Sequence, residues 1–220
     1  VAHDVKNPLG AILGYAQLMA LKSKDAALTR PISAIVSAAK ALNGLISDLV
    51  DFAAIESGKL RVSLEKMDLA RVVTEVQSRV AVAAERRRIA LSVSMPPTLP
   101  ILRGDALRLG QVIQNLCTNA IQYTPEGGSV TLGVALTPER VTVSVRDTGI
   151  GISKEDLPRI FERFFQAQNA VVMRRAGFGL GLKISQEIVK AHNGTLGVSS
   201  ELGKGSTFAF TLPLAANAPT

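Results

Sequence analysis

Several features that would identify a class of protein are scarce in this sequence of 220 residues. Its one cysteine excludes an internal disulfide and any zinc site built from clustered cysteines. It has no tryptophan and only 4% aromatic residues, so platforms for stacking single-stranded nucleic acid are scarce. We find no apolar run that approaches the roughly 20 residues of a membrane span, and no signal peptide. We therefore expect a globular, cytoplasmic segment.

The sequence begins at Val1 directly with a motif, so we expect it to be a fragment of a longer protein. Any membrane attachment is then expected only through missing upstream segments. The length suffices for one large or two modest domains. Hydrophobic residues make up 47% and charged residues 20%, which is typical of a folded globular chain.

The chain is basic, with 25 Lys and Arg against 18 Asp and Glu and a net charge of +7. Such an excess invites a nucleic acid partner. However, basic and acidic residues balance in residues 1–57, and the whole excess lies in residues 58–220. The longest basic run there, Arg86-Arg87-Arg88, is typical of a solvated helix face. We therefore expect no nucleic acid partner and keep that partner as the minor alternative.

The N-terminal segment, residues 1–57, is predicted to be a helical hairpin. Pro31 is predicted at the first position of the second helix, after a connection over 24–30, and Gly58 is predicted to end that helix. Both helices have heptad spacing, with apolar residues at Ala2, Val5, Leu9, Ile12, Ala16 and Met19, then at Ile35, Ala39, Leu42, Ile46, Leu49 and Ala53. Because two such helices cannot bury both stripes, we expect a dimeric four-helix bundle. The alternative is that the hairpin packs onto the second domain of its own chain.

The rest of the chain is predicted to be a two-layer α/β sandwich with a mixed sheet, so that the fold class is α+β. We expect a linker over 58–66, a domain over 67–214 and a loose tail over 215–220. Periodicity predicts helices over 69–84, 105–123 and 180–192, and strands over 89–95, 130–136, 141–145, 196–200 and 207–212. Strands interleaved with helices favour one sheet covered by helices.

Two glycine-rich loops point to a phosphorylated ligand. Asp147-Thr148-Gly149-Ile150-Gly151 leaves a strand, and Gly177-Phe178-Gly179-Leu180-Gly181 opens a helix. Alternate glycines let the backbone approach a ligand, and the helix N-terminus offers free N–H groups to phosphate. The alternative is two ordinary turn-rich connections.

One helix face between these regions carries amides at spacings of 4, 4 and 3, namely Gln111, Asn115, Asn119 and Gln122. Asparagine is a poor helix former, so two in mid-helix suggest a ligand role. Amide oxygens suit Mg²⁺, which binds together with substrate phosphates. The alternative is that these amides are buried bridges to the sheet.

The N-terminal helix carries a candidate nucleophile in His3, with Asp4 beside it and Asn7 one turn further on the same face. An aspartate that accepts the Nδ1 proton orients a neutral imidazole for attack through Nε2. His192, by contrast, is predicted at a helix C-terminus, where it suits the helix dipole, and is assigned no chemistry.

Five motifs occur in order along the chain: His3-Asp4-x-x-Asn7-Pro8, Asn115-x-x-x-Asn119-Ala120, Asp147-x-Gly149-x-Gly151, Phe161-Glu162-Arg163-Phe164-Phe165 and Gly177-x-Gly179-x-Gly181. In order and spacing they resemble the successive boxes of bacterial sensor histidine kinases. The resemblance covers nearly all of the chain. It implies that the hairpin is a dimerisation and histidine-phosphotransfer domain. It implies that 67–214 is a catalytic ATP-binding domain of the gyrase, Hsp90, histidine kinase and MutL superfamily.

The resemblance implies roles for the first motif. His3 would be the phosphoacceptor, Asp4 the general base, and Asn7 the residue that orients water when a response regulator is dephosphorylated. The phosphoryl group would pass from His3 to an aspartate of a separate receiver domain. The protein would act as a homodimer through residues 1–57.

The resemblance also implies an ATP and Mg²⁺ site. Asn119 would ligate Mg²⁺, assisted by Asn115, and Asp147 would accept the adenine amino group with Tyr123 beside the base. Residues from about 166 to 178 would form a lid hinged at Gly177 and Gly179. The other residues expected to contact the nucleotide are Gly149, Gly151, Ile152, Phe165, Arg174, Arg175, Leu180 and Gly181.

The sequence departs from the family at two positions where a cation often helps to hold phosphate, since Gln122 and Gln166 stand there. We expect Arg163, Arg174 or Arg175 to compensate. An active autokinase is the favoured interpretation. The alternatives are a nucleotide-gated module or pseudokinase of the same superfamily, and an ATPase related to chaperones or topoisomerases.

Overall fold

The computed structural model describes the backbone of residues 2–22, 26–166 and 179–214, and their side chains except those of 2–7, 21–22, 26–27 and 30. The chain divides into two compact units, Val1–Gly58 and Lys59–Thr220.

The first unit consists of helices α1 (Ala2–Lys22) and α2 (Ala26–Glu56), which pack against each other. The predicted hairpin is therefore confirmed. The predicted start of the second helix is wrong, because α2 begins at Ala26 and contains Pro31. The preceding Ala-Ala-Leu-Thr-Arg segment consists mostly of good helix formers, and this outweighs the proline signal. The predicted stop is confirmed, since Gly58 has φ +63° and its N–H donates to the Ile55 carbonyl at 3.0 Å.

The expectation that no apolar segment approaches a membrane span is also wrong, because one helix has the length and the composition of such a span. Within α2, Pro31–Glu56 is long and apolar enough to cross a bilayer, although a core helix of a soluble protein can pass the same test. Ile35, Leu42 and Leu49 of this helix recur every seven residues and are exposed. This uncovered apolar stripe is the one that the heptad pattern predicts.

The second unit contains a five-stranded mixed sheet in the order β2-β4-β5-β7-β6, in which β2 and β4 are parallel and the other neighbours antiparallel. A separate pair, β1 and β3, is antiparallel. The strands are β1 (Glu65–Met67), β2 (Ala90–Ser94), β3 (Leu102–Gly104), β4 (Ser129–Leu136), β5 (Arg140–Asp147), β6 (Thr195–Glu201) and β7 (Gly205–Pro213).

Three helices cover one face of the sheet: α3 (Leu69–Arg86), α4 (Ala106–Tyr123) and α5 (Gly181–Ala191). Asp68 and Asp105 cap α3 and α4, each accepting the N–H three residues ahead. The sheet buries alternate residues against these helices, including Val130, Leu132, Val141, Val143, Val145, Phe208 and Phe210. The predicted two-layer α/β architecture with a mixed sheet is confirmed.

The predicted helices and long strands of this unit lie within two residues of their observed positions. Strands β1 and β3 and a 3₁₀ turn at Leu157–Arg159 are present in the structure but are not predicted from the sequence. Strand β1 includes two residues of the expected linker, Glu65 and Lys66, so the segment without regular structure is shorter than expected.

Candidate nucleotide-binding site

The predicted site residues differ in how far the structure describes them. His3, Asp4 and Asn7 lie in α1, but their side chains are outside the described residues. Arg174, Arg175 and Gly177 are outside them altogether. The remaining predicted residues lie on α4, on the loop after β5, and around the start of α5.

Asp147, the last residue of β5, is buried with one carboxylate oxygen held rigidly. Its Oδ1 accepts the N–H of Gly149 at 2.8 Å and the N–H of Ser206 at 3.2 Å. Within the described part of the chain Oδ2 receives no hydrogen bond, so its capacity to accept one is unused. Burial raises the pKa of Asp147, and the Gly149 and Ser206 N–H groups oppose that rise. The unused Oδ2 is an acceptor suited to an amino group.

The loop over 147–152 is held between the end of α4 and the turn between β6 and β7. The Ile150 N–H donates to the Tyr123 carbonyl at 3.2 Å, and the Ile150 carbonyl accepts the Gly203 N–H at 2.8 Å. The Ile152 N–H donates to Ser200 Oγ at 2.9 Å. These bonds hold the loop that follows Asp147 against the end of α4 at Tyr123 on one side and against Ser200 and Gly203 on the other.

Two glycines permit this close packing. A Cβ at Gly149 would lie 2.6 Å from the Tyr123 carbonyl oxygen. A Cβ at Gly151 would overlap the Glu201 carbonyl, and Gly151 has φ +66°. Only glycine fits both conditions at position 151.

We expect Gly151→Ala to destabilise the second unit by about 4 kcal/mol or more, because a backbone overlap adds to the strain of positive φ. Gly203→Ala is the matched control. Gly203 has φ +80°, but its added Cβ would meet nothing within 4 Å, so only about 1–2 kcal/mol should be lost. Urea unfolding of both variants measures the difference. Equal losses would contradict the packing of this loop.

The amide face of α4 has two distinct parts. Asn115 Nδ2 donates to Ser185 Oγ on α5 at 3.0 Å, and a Cβ at Gly181 would lie 2.6 Å from Asn115 Oδ1. Asn115 therefore bridges α4 and α5, and the structural alternative of a bridge to the sheet is wrong for it. Asn119 is half-buried, and its amide makes no hydrogen bond to any residue that the structure describes.

A metal ion could bind at this face of α4 only if a substrate supplied some of its ligands. In the described ranges, no group of three or more His, Cys, Asp or Glu side chains could hold a metal ion. The Asn119 amide is half-buried and has no hydrogen-bond partner among the described residues, so its oxygen is available as a ligand. One or two amide oxygens with water and phosphate oxygens are a donor set that Mg²⁺ accepts.

The start of α5 is brought against the Phe161–Phe165 motif. The Phe164 N–H donates to the Gly179 carbonyl at 3.1 Å, and a Cβ at Gly179 would lie 2.6 Å from the Phe165 carbonyl oxygen. Gly179 has φ +68°, and Leu180 is buried. The Arg159 guanidinium lies 4.5 Å from the centre of the Phe165 ring. Gly179, Leu180 and Gly181 therefore form the turn that leads into α5, and this turn packs against Phe164 and Phe165.

Four residues that support the site are not predicted from the sequence: Ser185, Ser200, Ser206 and Arg87. The Arg87 guanidinium donates to the carbonyls of Ile121, Gln122 and Thr124, and so caps the end of α4 beside Tyr123. A basic residue that caps a helix 34 residues away has no local sequence signal. The serines also act through partners distant in sequence.

Two family patterns match the chain. The His Kinase A (phospho-acceptor) domain matches residues 1–58. The histidine kinase-, DNA gyrase B- and HSP90-like ATPase matches residues 104–216, just over half of the chain. This chain belongs to the sensor histidine kinases. The family that the five motifs indicated is therefore confirmed.

Individual relatives of this histidine kinase support its assignment to the family, because they are themselves named histidine kinases. Sensor histidine kinase RcsC of Escherichia coli is 33% identical over 215 residues, which are 97% of this chain and 23% of RcsC. Sensor-like histidine kinase SenX3 of Mycolicibacterium smegmatis is 32% identical over 97% of this chain and 56% of SenX3. The crystal structure of full-length ShkA in complex with AMPPNP has a TM-score of 0.78 and 30% identity, covering 99% of this chain and 45% of ShkA. The chain thus spans about a quarter to a half of these proteins.

Proposed function

We propose that this histidine kinase transfers the γ-phosphoryl group of ATP to His3 and then to an aspartate of a separate response regulator. The observation that carries the proposal is the unused Oδ2 of Asp147, rigidly held beside the glycine loops. The same chain carries the phosphoacceptor motif in α1. A nucleotide site alone would fit many ATPases, whereas the two together fit an autokinase.

The adenine base would lie on the 147–152 loop. Asp147 Oδ2 accepts a hydrogen bond from the exocyclic amino group, which supplies specificity for adenine over bases that lack it. Gly149 and Gly151 let the backbone approach the base, and Tyr123 and Ile152 flank it. Phe165 and Leu180 close the apolar side.

The triphosphate would lie at the turn that leads into α5, where Gly179 and Gly181 would offer backbone N–H groups and the helix N-terminus favours negative charge. Gly177 is proposed to belong to the same phosphate-binding segment. Asn119 would hold Mg²⁺ directly, and Asn115 would assist through its oxygen. When bound, that ion neutralises charge on the transferred phosphoryl group.

In the transfer step, the lone pair of His3 Nε2 attacks the γ-phosphorus, and the bond to the β,γ-bridging oxygen breaks to release ADP. Asp4 accepts the hydrogen bond of the Nδ1 proton and stabilises the positive charge that develops on the ring. The transfer of the phosphoryl group to a receiver aspartate then restores neutral His3. Asn7 would orient water in a phosphatase reaction on the same regulator.

The assembly belongs to the same proposal. The exposed stripe at Ile35, Leu42 and Leu49 supports a homodimer through residues 1–57. Residues 67–214 would act as the catalytic domain, linked by 58–66 and followed by a tail over 215–220. The cytoplasm is the proposed location because it holds ATP and receiver domains. Any membrane contact would come from other parts of the protein.

The arginines at 174 and 175 are proposed to replace the phosphate-binding cations that Gln122 and Gln166 do not supply. Arg174→Ala/Arg175→Ala should therefore weaken ATP binding by about tenfold, since lost charge-assisted hydrogen bonds are worth about 1.5 kcal/mol or more. Calorimetric titration with AMPPNP measures the loss. ADP, which lacks the γ-phosphate, should lose less. Unchanged affinity for both nucleotides would contradict the role.

The proposed function is tested by incubating the fragment with γ-labelled ATP and Mg²⁺. Label that is lost in acid and retained in alkali supports an autokinase. Nucleotide binding without label would support a pseudokinase, the second candidate that Gln122 and Gln166 favour. Steady ATP turnover without phosphoenzyme would support an ATPase related to chaperones or topoisomerases.

A further inference from the structure

Helices α4 and α5, which carry nucleotide-site residues, run antiparallel. Two hydrogen bonds join them, one between two side chains and one from a backbone N–H to a side chain. One joins Asn115 and Ser185 near the proposed phosphate end. The other lies at the opposite end, where the Asp105 N–H donates to His192 Nε2 at 2.9 Å. Two bonds at separate points fix how far one helix can slide along the other.

The chemistry of His192 is determined by its two partners. Because the Asp105 N–H can only donate, Nε2 must accept. Nδ1 lies 2.8 Å from the Ile188 carbonyl oxygen, which can only accept, so Nδ1 carries the proton. The ring is buried, with 5% exposure, and packs on Gly104. It is therefore a buried cross-link, at the helix C-terminus where the sequence predicts it.

Asp105 makes two further bonds with its carboxylate. Oδ1 accepts the Arg108 N–H at 3.0 Å and caps α4, and Oδ2 accepts the N–H of Ser63 at 3.1 Å. Ser63 lies in the segment between α2 and β1. The adjacent Leu64 carbonyl accepts a hydrogen bond from Arg103 at 3.1 Å. The end of the linker is thus fastened to the residues that precede α4.

We propose that Ser63, Asp105 and His192 form a junction that positions the reaction without touching its substrates. His192 sets the register of α5 against α4, and Asp105 ties the linker to that register. The inference rests on the proposed function, because the register matters only if nucleotide lies between Asn119 and the turn at Gly179–Gly181.

The effect at a distance follows from helix stiffness. His192 is 11 residues from Gly181, or about 16 Å along α5. Without the junction, one of the two hydrogen bonds that fix α5 along α4 is lost, and the bond between Asn115 and Ser185 remains. The Asp105 N–H would also be left without its acceptor, which costs free energy in a buried position. A shift of α5 moves the phosphate-binding turn relative to Asn119, and a misplacement of this kind weakens binding and transfer.

Two substitutions at position 192 separate the cross-link from general packing. The Gln amide reaches the place of Nε2 and can accept the Asp105 N–H, whereas the Asn amide reaches only the place of Nδ1. We expect His192→Asn to weaken MgADP binding about tenfold, and His192→Gln to stay within threefold of wild type. Titration calorimetry well below the melting temperature compares the folded proteins.

The linker arm is tested by Asp105→Asn. Asparagine still caps a helix and keeps its backbone N–H for His192, but with Oδ1 on the cap it offers Ser63 only a donor group. We expect the Ser63 amide to exchange at least tenfold faster and the autophosphorylation rate at saturating ATP to fall severalfold, with MgADP affinity unchanged. Asp68→Asn is the matched control, since Asp68 caps α3 in the same way at 3.2 Å.

The outcomes separate this inference from the proposed function. Equal MgADP affinity in His192→Asn and wild type would overturn the junction, as would equal losses in both position-192 variants. So would unchanged Ser63 exchange in Asp105→Asn. A wild-type fragment that binds no nucleotide would overturn the proposed function and the junction with it.

Discussion

Replacement of His3 by glutamine should abolish formation of phosphoprotein while leaving nucleotide binding unchanged. Glutamine lacks a nucleophilic nitrogen, so the γ-phosphoryl group has no acceptor in the first unit. The nucleotide-site residues belong to the second unit, so their affinity for MgADP should not depend on His3. Labelling with γ-labelled ATP should fall at least a thousandfold, to the limit of detection, whereas calorimetry should give the wild-type affinity.

Label that persists in His3→Gln would show that the acceptor is elsewhere, and lost affinity would show a damaged protein. Mixing this variant with Asp147→Asn adds a second readout. In a mixed dimer, label on the Asp147→Asn chain would show transfer between chains, and its absence would show transfer within a chain.

Replacement of Asp147 by asparagine should weaken nucleotide binding roughly 30- to 150-fold, since a hydrogen bond to a charged group is worth about 2–3 kcal/mol in a site built for it. Asparagine keeps an oxygen for the Gly149 and Ser206 N–H groups. It presents an NH₂ group to the adenine amino group, and two donors cannot pair. Calorimetry with MgADP measures the loss, and unchanged affinity would contradict the placement of adenine at Asp147.

The same variant should not lose stability at pH 7. Because burial raises the pKa of Asp147, the folded state binds a proton more readily than the unfolded state. The ionised carboxylate therefore destabilises the fold above its raised pKa, and this cost disappears as the pH falls towards the ordinary range near 3.8. The melting temperature of Asp147→Asn should match or exceed wild type at pH 7, with the advantage shrinking at lower pH. A large loss at pH 7 would contradict this sign.

Helices and strands in which the hydrophobic repeat continues over many residues were predictable from the sequence. Helices α3 and α4 have apolar residues on one face and an aspartate cap at the start. Strand β5 alternates strictly over its eight residues, and β4 does so over all but its last residue. In these segments the local pattern and the tertiary burial agree, so periodicity alone located them within about two residues.

Short elements were not predictable, because three residues are too few to show a period. Strands β1 and β3 are defined by their pairing with each other across 35 or more residues. The start of α2 differs from the predicted one because the five residues before Pro31 mostly favour a helix and extend it to Ala26. The two short strands depend on a contact between distant residues, and the start of α2 depends on the helix propensity of several residues. A local motif represents neither.

The residues proposed to contact nucleotide, Asp147, Asn119 and the glycines, could be selected from the sequence because motifs mark their residue types and spacing. The supporting residues could not, since Ser206 is 59 positions from Asp147 and Asp105 is 87 from His192. Asn115 shows the limit most clearly. Its type and spacing matched Asn119, but its amide faces Ser185, a partner that only the folded chain identifies.

The claim that this chain is a histidine autokinase is tested most directly by locating the phosphate. The wild-type fragment is incubated with ATP and Mg²⁺, digested at alkaline pH and analysed by tandem mass spectrometry, which preserves phosphohistidine. A single phosphorylated residue at His3 is predicted. Phosphate on a serine, a threonine or His192, or release of ADP without any phosphorylated peptide, would contradict the claim.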